Sequence, residues 1–437
     1  MPLAFGPAES HPMVDAFLAP RVPRWEALNR AVDERDDMLD FAIKLFDHDR
    51  DAAISNYFQN GFEQFALVRH IAGWRPHPKT MLDFASGYGR LTRFLVHQQL
   101  ADEVTVSDIL EGGMEFQAAQ FGVKTILSTT LPEQFPATRK FDLIFVASLF
   151  THLPPATFTA WLRKLAELLE PEGLLIFSVH DQSIAPVVVD GIAFHSYSES
   201  RVLDGEEYGS TWVTEEYVRG EVGAIDAGFA CVRLPRALSD WQDVYVISPA
   251  PIADPKPRRV PKGFLDQFEV TDDALRFSGW ATVLGEPVDR VEVRVDNQLV
   301  ATTREFHLRD DVAAWLQIEE AKLSGWTCLV PHDAIRSFRY QVVTVSAFAA
   351  EGVEKILFHG AVESLAGVIA REKAKQRDEQ LAQREITIDG LRQQLAATAH
   401  ERDTLAQTIE AMRQSRFWKA REQWFRVKRA VRLTDEA

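Results

Sequence analysis

Residues Met81–Val96 read MLDFASGYGRLTRFLV. An apolar run of Met81, Leu82 and Phe84 gives way to Ser86, Gly87 and Gly89, after which Leu91, Phe94 and Leu95 recur at helical spacing. The stretch therefore predicts strand, tight turn and helix. Two glycines at such a turn let a ligand lie against the backbone with no Cβ in the way. The helix behind them starts with N–H groups that have no intrahelical partner. The dinucleotide-binding pattern GxGxxG is not met, because its third glycine would fall where Thr92 stands.

D-F-A-S-G-Y-G-R instead resembles motif I of the class I S-adenosylmethionine (AdoMet) methyltransferases, an acidic residue and three further residues ahead of G-x-G. The resemblance implies that Asp83 helps to hold the ammonium group of the cofactor, while Ala85, Ser86, Gly87 and Gly89 let its amino-acid end lie along the loop. Past the following helix, EVTVSDI (Glu103–Ile109) alternates as a second strand ending in an acid. A carboxylate at that distance from the glycine loop can accept two hydrogen bonds from a ribose diol. Asp108 is assigned that role, with Ile109 beside it.

VKTILSTT (Val123–Thr130) predicts a third strand and FDLIFVASLF (Phe141–Phe150) a fourth, apolar enough to be buried in a parallel sheet. The fourth runs into S-L-F-T-H-L-P, which looks like the segment of this family that reaches the methyl donor and the substrate, so Ser148 joins the cofactor set. A helix over Phe158–Glu170 stops at Pro171-Glu172-Gly173, and GLLIFSVHD (Gly173–Asp181) is a fifth strand. Strand and helix in repetition give a doubly wound, Rossmann-like α/β domain with ligands at the carboxyl ends of the strands. His180 falls at such an end and is the preferred general base, with His152, which follows another strand, as a second candidate; the other reading of each is a ring that caps a loop. Gly228–Ser248 predicts a closing hairpin turning across Pro235. Within it Trp241 and Asp243 suit a sugar face and its hydroxyls, with a core tryptophan as the other reading, and Asp243 is a third catalytic candidate. The long segment from Gln182 to Val213, with His195, Tyr197 and Tyr208–Trp212, is placed at the ligand face, where loops carry specificity.

A chain of 437 residues exceeds one ordinary core. With 46% hydrophobic and 26% charged residues it has the composition of a soluble globular protein, and no apolar run approaches the roughly 18 to 20 residues of a membrane span. The first residues show no secretory signal, and Cys231 and Cys328 are too few for a disulfide framework or a thiolate metal site, so a reducing cytoplasm and no metal are expected. The formal net charge of −16 excludes general nucleic-acid binding.

Residues 1–79 are assigned to a helical lead-in and lid. Residues 1–23 carry several prolines and are expected to be loose, and Ile54–Gly73 reads as a helix broken at Gly61. Tyr57, with Phe58 and Gly61, is the lid candidate that would close over the cofactor; packing against the sheet is the alternative. Residues 80–248 are the catalytic domain and 249–263 a Pro-rich, extended linker. Over 264–362 the period drops to two, as in ALRFSGWATV and DRVEVRVDNQLVATT, which predicts a small all-β sandwich with a hairpin turn at Asp296-Asn297. Its pattern resembles an immunoglobulin-like module appended to bacterial glycosyltransferases and methyltransferases of surface-polysaccharide loci.

Residues 363–414 are charged, free of proline and helical in pattern. Leu381, Ile388, Leu395, Arg402 and Ile409 fall on one heptad position, and Arg384, Leu391, Thr398, Leu405 and Met412 on the other. That predicts a coiled coil and a homo-oligomer, weakened by the polar members and Gly390, with a long single helix as the alternative. In residues 415–437, SRFWKAREQWFRVKRAVRL mixes aromatic and basic residues with a single acid, Glu422. Such a helix suits the headgroup layer of an anionic membrane, or a protein partner.

The expected protein is an AdoMet-dependent methyltransferase that O-methylates a sugar or glycan in surface-polysaccharide assembly, cytoplasmic and peripheral on the inner face of the membrane. The alternatives are a non-catalytic AdoMet-binding scaffold, and a methyltransferase of small molecules or proteins.

Overall fold

The structure, a computed structural model, describes residues 5–185, 188, 190–196, 203–256 and 258–367, isolated positions between 369 and 411, and residues 416–430. Tyr197, Gly390, Leu391, Met412 and Ser415 lie outside the described residues.

The chain begins with helices α1 (Pro12–Leu18), α2 (Asp37–Leu45) and α3 (Arg50–Ala72). Residues 1–23 were expected to be loose, but Val14, Phe17, Leu18 and Val22 are buried. Their apolar spacing is too short to register as a helical period, yet it gives α1 one face for the core. Nor does α3 break at Gly61. A Cβ there would stand 2.5 Å from the Arg90 carbonyl oxygen, so the glycine serves close approach of α3 to the loop that follows the first strand.

That strand, β1 (Thr80–Phe84), is followed by α4 (Thr92–His97), β2 (Glu103–Asp108), α5 (Glu111–Phe121), β3 (Lys124–Leu127), β4 (Phe141–Val146), α6 (Pro155–Glu167) and β5 (Leu169–Asp181). The strands lie parallel in the order β3-β2-β1-β4-β5, so the chain reverses its direction of sheet growth between β1 and β4. Period-two alternation decides which core each side chain joins. Met81, Leu143, Phe145 and Ile176 pack with Phe58, Phe65 and Phe94 on one face. Leu82, Phe84, Ile144 and Phe177 pack with Trp161 and Leu162 on the other. Truncating a filled position such as Phe94 to alanine would cost about 3–5 kcal/mol.

β6 (Ile192–His195) and β7 (Ser210–Val213) form a hairpin joined to the end of β5, with Trp212 and Val213 opposite His180 and Asp181. After α7 (Glu215–Ile225), β8 (Ala230–Leu238) and β9 (Gln242–Ser248) complete the sheet, β9 lying antiparallel to β5. Pro235 does not form the turn of this hairpin. It sits within β8 where the register slips between Leu234 and Leu238, since a bulge spares the ladder a missing N–H, and the turn falls at Ser239–Trp241.

Beyond the linker, β10 (Lys262–Val270), β11 (Leu275–Val283), β12 (Glu286–Pro287), β13 (Arg290–Val295), β14 (Gln298–Thr303), β15 (Phe306–Leu308), α8 (Asp310–Leu316), β16 (Leu323–Val330), β17 (Val342–Phe348) and β18 (Glu354–Ala361) follow. They make two antiparallel sheets, β10-β11-β16-β15 with β12 on β11, and β14-β13-β17-β18. Phe277, Trp326, Val293 and Val345 fill the space between them. Asp296 and Asn297, at φ 47° and 68°, form the tight turn from β13 to β14 that their residue types favour.

The sandwich is docked on the first domain through α1, β18 and the β8–β9 turn. His359 on β18 donates from Nε2 to the Met13 carbonyl oxygen at 2.8 Å, and its ring lies edge-on to Phe17. Lys355 reaches Asp240 at 2.6 Å and Glu63 at 3.7 Å. The linker is tied down as well, Arg75 donating to the Pro251 carbonyl oxygen at 2.8 Å and His70 to that of Lys256 at 2.6 Å.

Residues Gln376–Ala437 form a separate unit. Its described positions before residue 412 are helical, with Leu381, Ile388, Leu395, Leu405 and Ile409 exposed. Helix α9 (Arg416–Ala430) ends the described chain. Among the described residues, no helix is long and apolar enough to cross a membrane.

Candidate active site

A cavity of about 420 Å³ opens at the carboxyl ends of β1, β2 and β4, where the order of the strands reverses. Its floor is the loop read first from the sequence. Ala85, Gly87 and Gly89 all take left-handed backbone, at φ 58°, 57° and 79°. A Cβ on Gly87 would project into open space, whereas one on Gly89 would stand 2.7 Å from Phe121 and 2.8 Å from the Gln117 amide oxygen. Gly87 thus presents bare backbone to the cavity, and Gly89 makes room for α5.

Asp108, at the end of β2, holds this loop. Its Oδ2 accepts from the Gly87 N–H at 2.8 Å and its Oδ1 from the Leu110 N–H at 3.0 Å. Each oxygen keeps acceptor capacity beyond that bond. Burial raises its pKa above the ordinary carboxylate range, opposed by the donors of Gly87, Leu110 and Ile109. Ser86 and Ile109 line the same floor.

Asp83, at the end of β1, is buried with Thr92 Oγ1 2.9 Å away. Burial pushes its carboxyl up to about 7, with the Thr92 hydrogen bond pulling it down and the Asp108 charge pushing it up. The threonine that departs from the dinucleotide pattern therefore has a use of its own. Its hydroxyl is shared between Asp83 and Gln117, whose Oε1 is 2.7 Å from it.

Tyr57 does not line the cavity. It stands behind the wall, donating its hydroxyl proton to Asp36 Oδ2 at 2.6 Å, and Arg93 lies against its ring. Asp36 does line the cavity and also caps α2, accepting from the Met38 N–H. The sequence reading missed it. An acid ahead of a helical run signals an N-cap, and nothing local ties that cap to a loop 50 residues on.

Ser148 follows β4 in left-handed backbone at φ 55°, fixed by its N–H donating to Ser178 Oγ at 2.8 Å, and it lines the cavity. His152 lines it too. Its Nδ1–H donates to the Gly209 carbonyl oxygen at 2.7 Å, which sets the tautomer and makes Nε2 the basic nitrogen. Tyr208 stacks on its ring with centroids 4.4 Å apart. Gly209 and Thr211 donate back to the carbonyl oxygens of His152 and Thr151, so the strand from the long loop and the segment after β4 hold each other in place.

His180 is outside the lining, its ring 6.4 Å from that of His152 and tilted against Trp212. Burial, and then the neighbouring His152, lower its pKa to about 4, so it is neutral at neutral pH. Asp243 is also outside the lining. It is buried, accepting from Arg233 Nε at 2.6 Å and from the Arg236 N–H at 2.8 Å.

The charge of the cavity fits a cationic ligand. Among the described residues, Asp36, Asp37, Asp83, Asp108, Glu206 and Glu207 line it against a single cation, Arg90, while Phe84, Leu110, Leu131 and Trp161 supply apolar wall. A sulfonium cofactor with an ammonium group and a flat base matches both features.

Residues 47–217 match the family model described as a methyltransferase domain. No curated protein matches the chain. Similar solved structures include an S-adenosylmethionine-dependent methyltransferase from Clostridium acetobutylicum, 15% identical, covering 49% of this chain and 99% of that one with a TM-score of 0.35. An amino pentose methyltransferase from Micromonospora echinaspora involved in calicheamicin biosynthesis is 15% identical, over 44% of this chain and 92% of its own, with a TM-score of 0.34. The 1,6-didemethyltoxoflavin-N1-methyltransferase of Burkholderia thailandensis is 16% identical, over 47% and 85%, with a TM-score of 0.34. Over residues 47–217 the chain is thus similar to a methyltransferase domain and has a Rossmann-like fold, and S-adenosyl-L-methionine is the cofactor that goes with that likeness.

Proposed function

We propose that the protein transfers the AdoMet methyl group to a hydroxyl of a sugar or glycan, in the assembly of a cell-surface polysaccharide. The observation that carries the transfer is the placing of His152, with a fixed tautomer, in the same cavity as the Asp83 and Asp108 loop. AdoMet supplies an electrophilic methyl group, whose C–S bond breaks as a lone pair of the acceptor oxygen forms the new C–O bond. Asp83 and Asp108, with Ala85, Ser86, Gly87, Gly89, Ile109 and Ser148, hold and orient the cofactor. His152 Nε2 takes the proton that the acceptor hydroxyl gives up, and Tyr208, stacked on the ring, keeps it aligned. His180 backs His152 from outside the cavity, and Asp243 braces the β8–β9 hairpin through Arg233 and the Arg236 N–H.

The surface-polysaccharide setting rests on the resemblance of the sandwich. The exposed aromatic residues of α9 support work at the cytoplasmic face of the membrane. Trp424 is 64% exposed among Lys419, Arg421, Arg426 and Lys428, an arrangement that suits anionic headgroups. The exposed heptad residues Leu381, Ile388 and Leu395 support a coiled coil with a second copy of the chain.

The test is incubation of the full chain with methyl-labelled AdoMet and a lipid-linked glycan extract. Label in the glycan fraction, lost in Asp108→Ala, supports the reading. Cofactor binding with no label passed to glycan, small-molecule or protein fractions would instead favour a scaffold that binds AdoMet without turnover.

A further inference from the structure

The cofactor floor contains more acceptors than its protons can serve. A hydroxyl owns one proton. Thr92 Oγ1 faces two acceptors, Gln117 Oε1 at 2.7 Å and Asp83 Oδ2 at 2.9 Å. Thr92 and Gln117 are fully buried and do not line the cavity, so water does not make up the difference at the threonine.

The orientation of the Gln117 amide settles where the threonine proton goes. Its Nε2 lies 2.9 Å from the Gly87 carbonyl oxygen, which can only accept, and 2.8 Å from Ser86 Oγ. Turning the amide over would set two acceptors against each other at Gly87. Oε1 therefore faces Thr92 and takes its proton at the shorter contact. An ionised Asp83 would then meet a threonine lone pair at 2.9 Å, a repulsive contact on the side of the carboxyl that faces the buried threonine. A protonated Asp83 donates to that lone pair, and every group in the chain from Asp83 through Thr92 and Gln117 to Ser86 and Gly87 is satisfied. Gly89 permits this arrangement, since a Cβ there would displace the Gln117 oxygen.

We propose that Thr92 and Gln117 are positioning residues that keep a proton on Asp83 in the empty cavity, and that the ammonium group of the cofactor expels it, so that cofactor binding releases a proton. The inference rests on the cofactor reading above. The step balances: the carboxylic acid becomes a carboxylate paired with the ammonium, and its proton leaves to solvent. Burial of Asp83, which raises its carboxyl to about 7, points the same way. The other charged or titratable groups among the described residues that line the same cavity are Asp108 from β2, whose charge acts on Asp83 directly, Asp36 and Asp37 from the start of α2, Arg90 from the loop, His152 from the segment after β4, and Glu206 and Glu207 ahead of β7. Its neighbours on β4, Phe145 and Val146, carry no charge, and the Arg93 guanidinium is turned away to the Ala31 carbonyl oxygen and Tyr57.

The experiment is titration calorimetry of the full chain with S-adenosyl-L-homocysteine, which keeps the amino-acid end and cannot transfer a methyl. It is run in buffers of different ionisation enthalpy at pH 6 and pH 8. Close to one proton is released at pH 6, where a carboxyl of pKa about 7 is mostly protonated. At pH 8 release falls to a small fraction of a proton, because a carboxyl of pKa about 7 is then mostly ionised before the ligand arrives. Asp83→Asn abolishes release at pH 6. Gln117→Met frees the Thr92 proton for Asp83, stabilises the carboxylate and cuts release at pH 6 by half or more. Thr92→Ser keeps the hydroxyl and leaves release unchanged. A purely structural Gln117 would weaken binding in the methionine variant without changing the proton count. Binding to the parent protein with no proton released at pH 6, or release that persists in Asp83→Asn, overturns this inference and leaves the cofactor reading intact. Absence of binding at both pH values overturns both.

Discussion

Arg21 and Glu354 meet as a two-pronged ion pair between the segment after α1 and strand β18, with Nε 2.8 Å from Oε2 and Nη2 2.5 Å from Oε1. The arginine is 6% and the glutamate 22% exposed. Arg21 also donates to the Phe17 carbonyl oxygen, and Ser346 donates to the glutamate. The sandwich is thus held on the methyltransferase domain by a partly dry, fully bonded pair. It is not suspended from the linker.

Arg21→Ala would strand the Glu354 carboxylate in this face. Breaking a buried pair costs about 3–5 kcal/mol, and the partial exposure of Glu354 places this one at the low end, near about 3 kcal/mol. The expected result is a lower midpoint in thermal or urea unfolding, with faster proteolysis in residues 249–263. A variant that unfolds and digests like the parent would show that the pair contributes nothing to docking.

Asp108→Ala removes two things together, the carboxylate that anchors the Gly87 N–H and the acceptors assigned to the ribose hydroxyls. Losing hydrogen bonds to a charged group predicts at least about a tenfold loss of AdoMet affinity, by the order of about 1.5–3 kcal/mol per bond. Calorimetric titration of the folded variant checks this. An unchanged dissociation constant would remove Asp108 from the cofactor site.

His152→Gln keeps a side chain of similar reach but has no basic nitrogen. The turnover rate should fall by about 10²–10⁴, the usual range for general acid–base catalysis, while AdoMet affinity stays within about twofold. The split between rate and affinity separates a proton acceptor from a wall residue. A variant that turns over at the parental rate would rule out His152 as the base.

The sheet was legible because its central strands β1, β2 and β4 are buried on both faces and read as short apolar runs, and because Gly87 and Gly89 mark a turn where a ligand can touch backbone. Asp108 could be placed at the cavity by its position at the end of the second strand, and Asp83 by the resemblance of its motif. What the sequence hid depends on distant pairing. Gly61 looked like a helix break, yet its reason is the Arg90 carbonyl oxygen across a packing face. Asp36 carried no signal beyond an acid ahead of a helical run, yet Tyr57 ties it to the cavity wall. Thr92 looked like the absence of a glycine, and only the position of Gln117 on α5 gives its hydroxyl a purpose. Residues 1–23 looked loose because the surface that buries Phe17 and Arg21 is supplied more than 300 positions later.

Asp83 gives a last prediction, on stability in the absence of ligand. Its carboxyl titrates near 7 in the folded protein and at its ordinary value of 3.8 when unfolded. Between those two values the native state holds a proton that the unfolded chain has lost, so rising pH removes stability across this window, by up to about 1.4 kcal/mol per pH unit. Asparagine cannot ionise, and its amide can donate to the Thr92 oxygen as the protonated acid does. Asp83→Asn should therefore unfold at a higher temperature than the parent at pH 8, with the gap narrowing toward pH 5. AdoMet should reverse the order at pH 8, because only the parent gains a carboxylate–ammonium pair on binding. Thermal unfolding of both proteins at the two pH values, with and without AdoMet, measures this. A ligand-free variant less stable than the parent at pH 8 would mean that the Asp83 carboxylate is accommodated in its charged form, with Thr92 donating to it and not to Gln117.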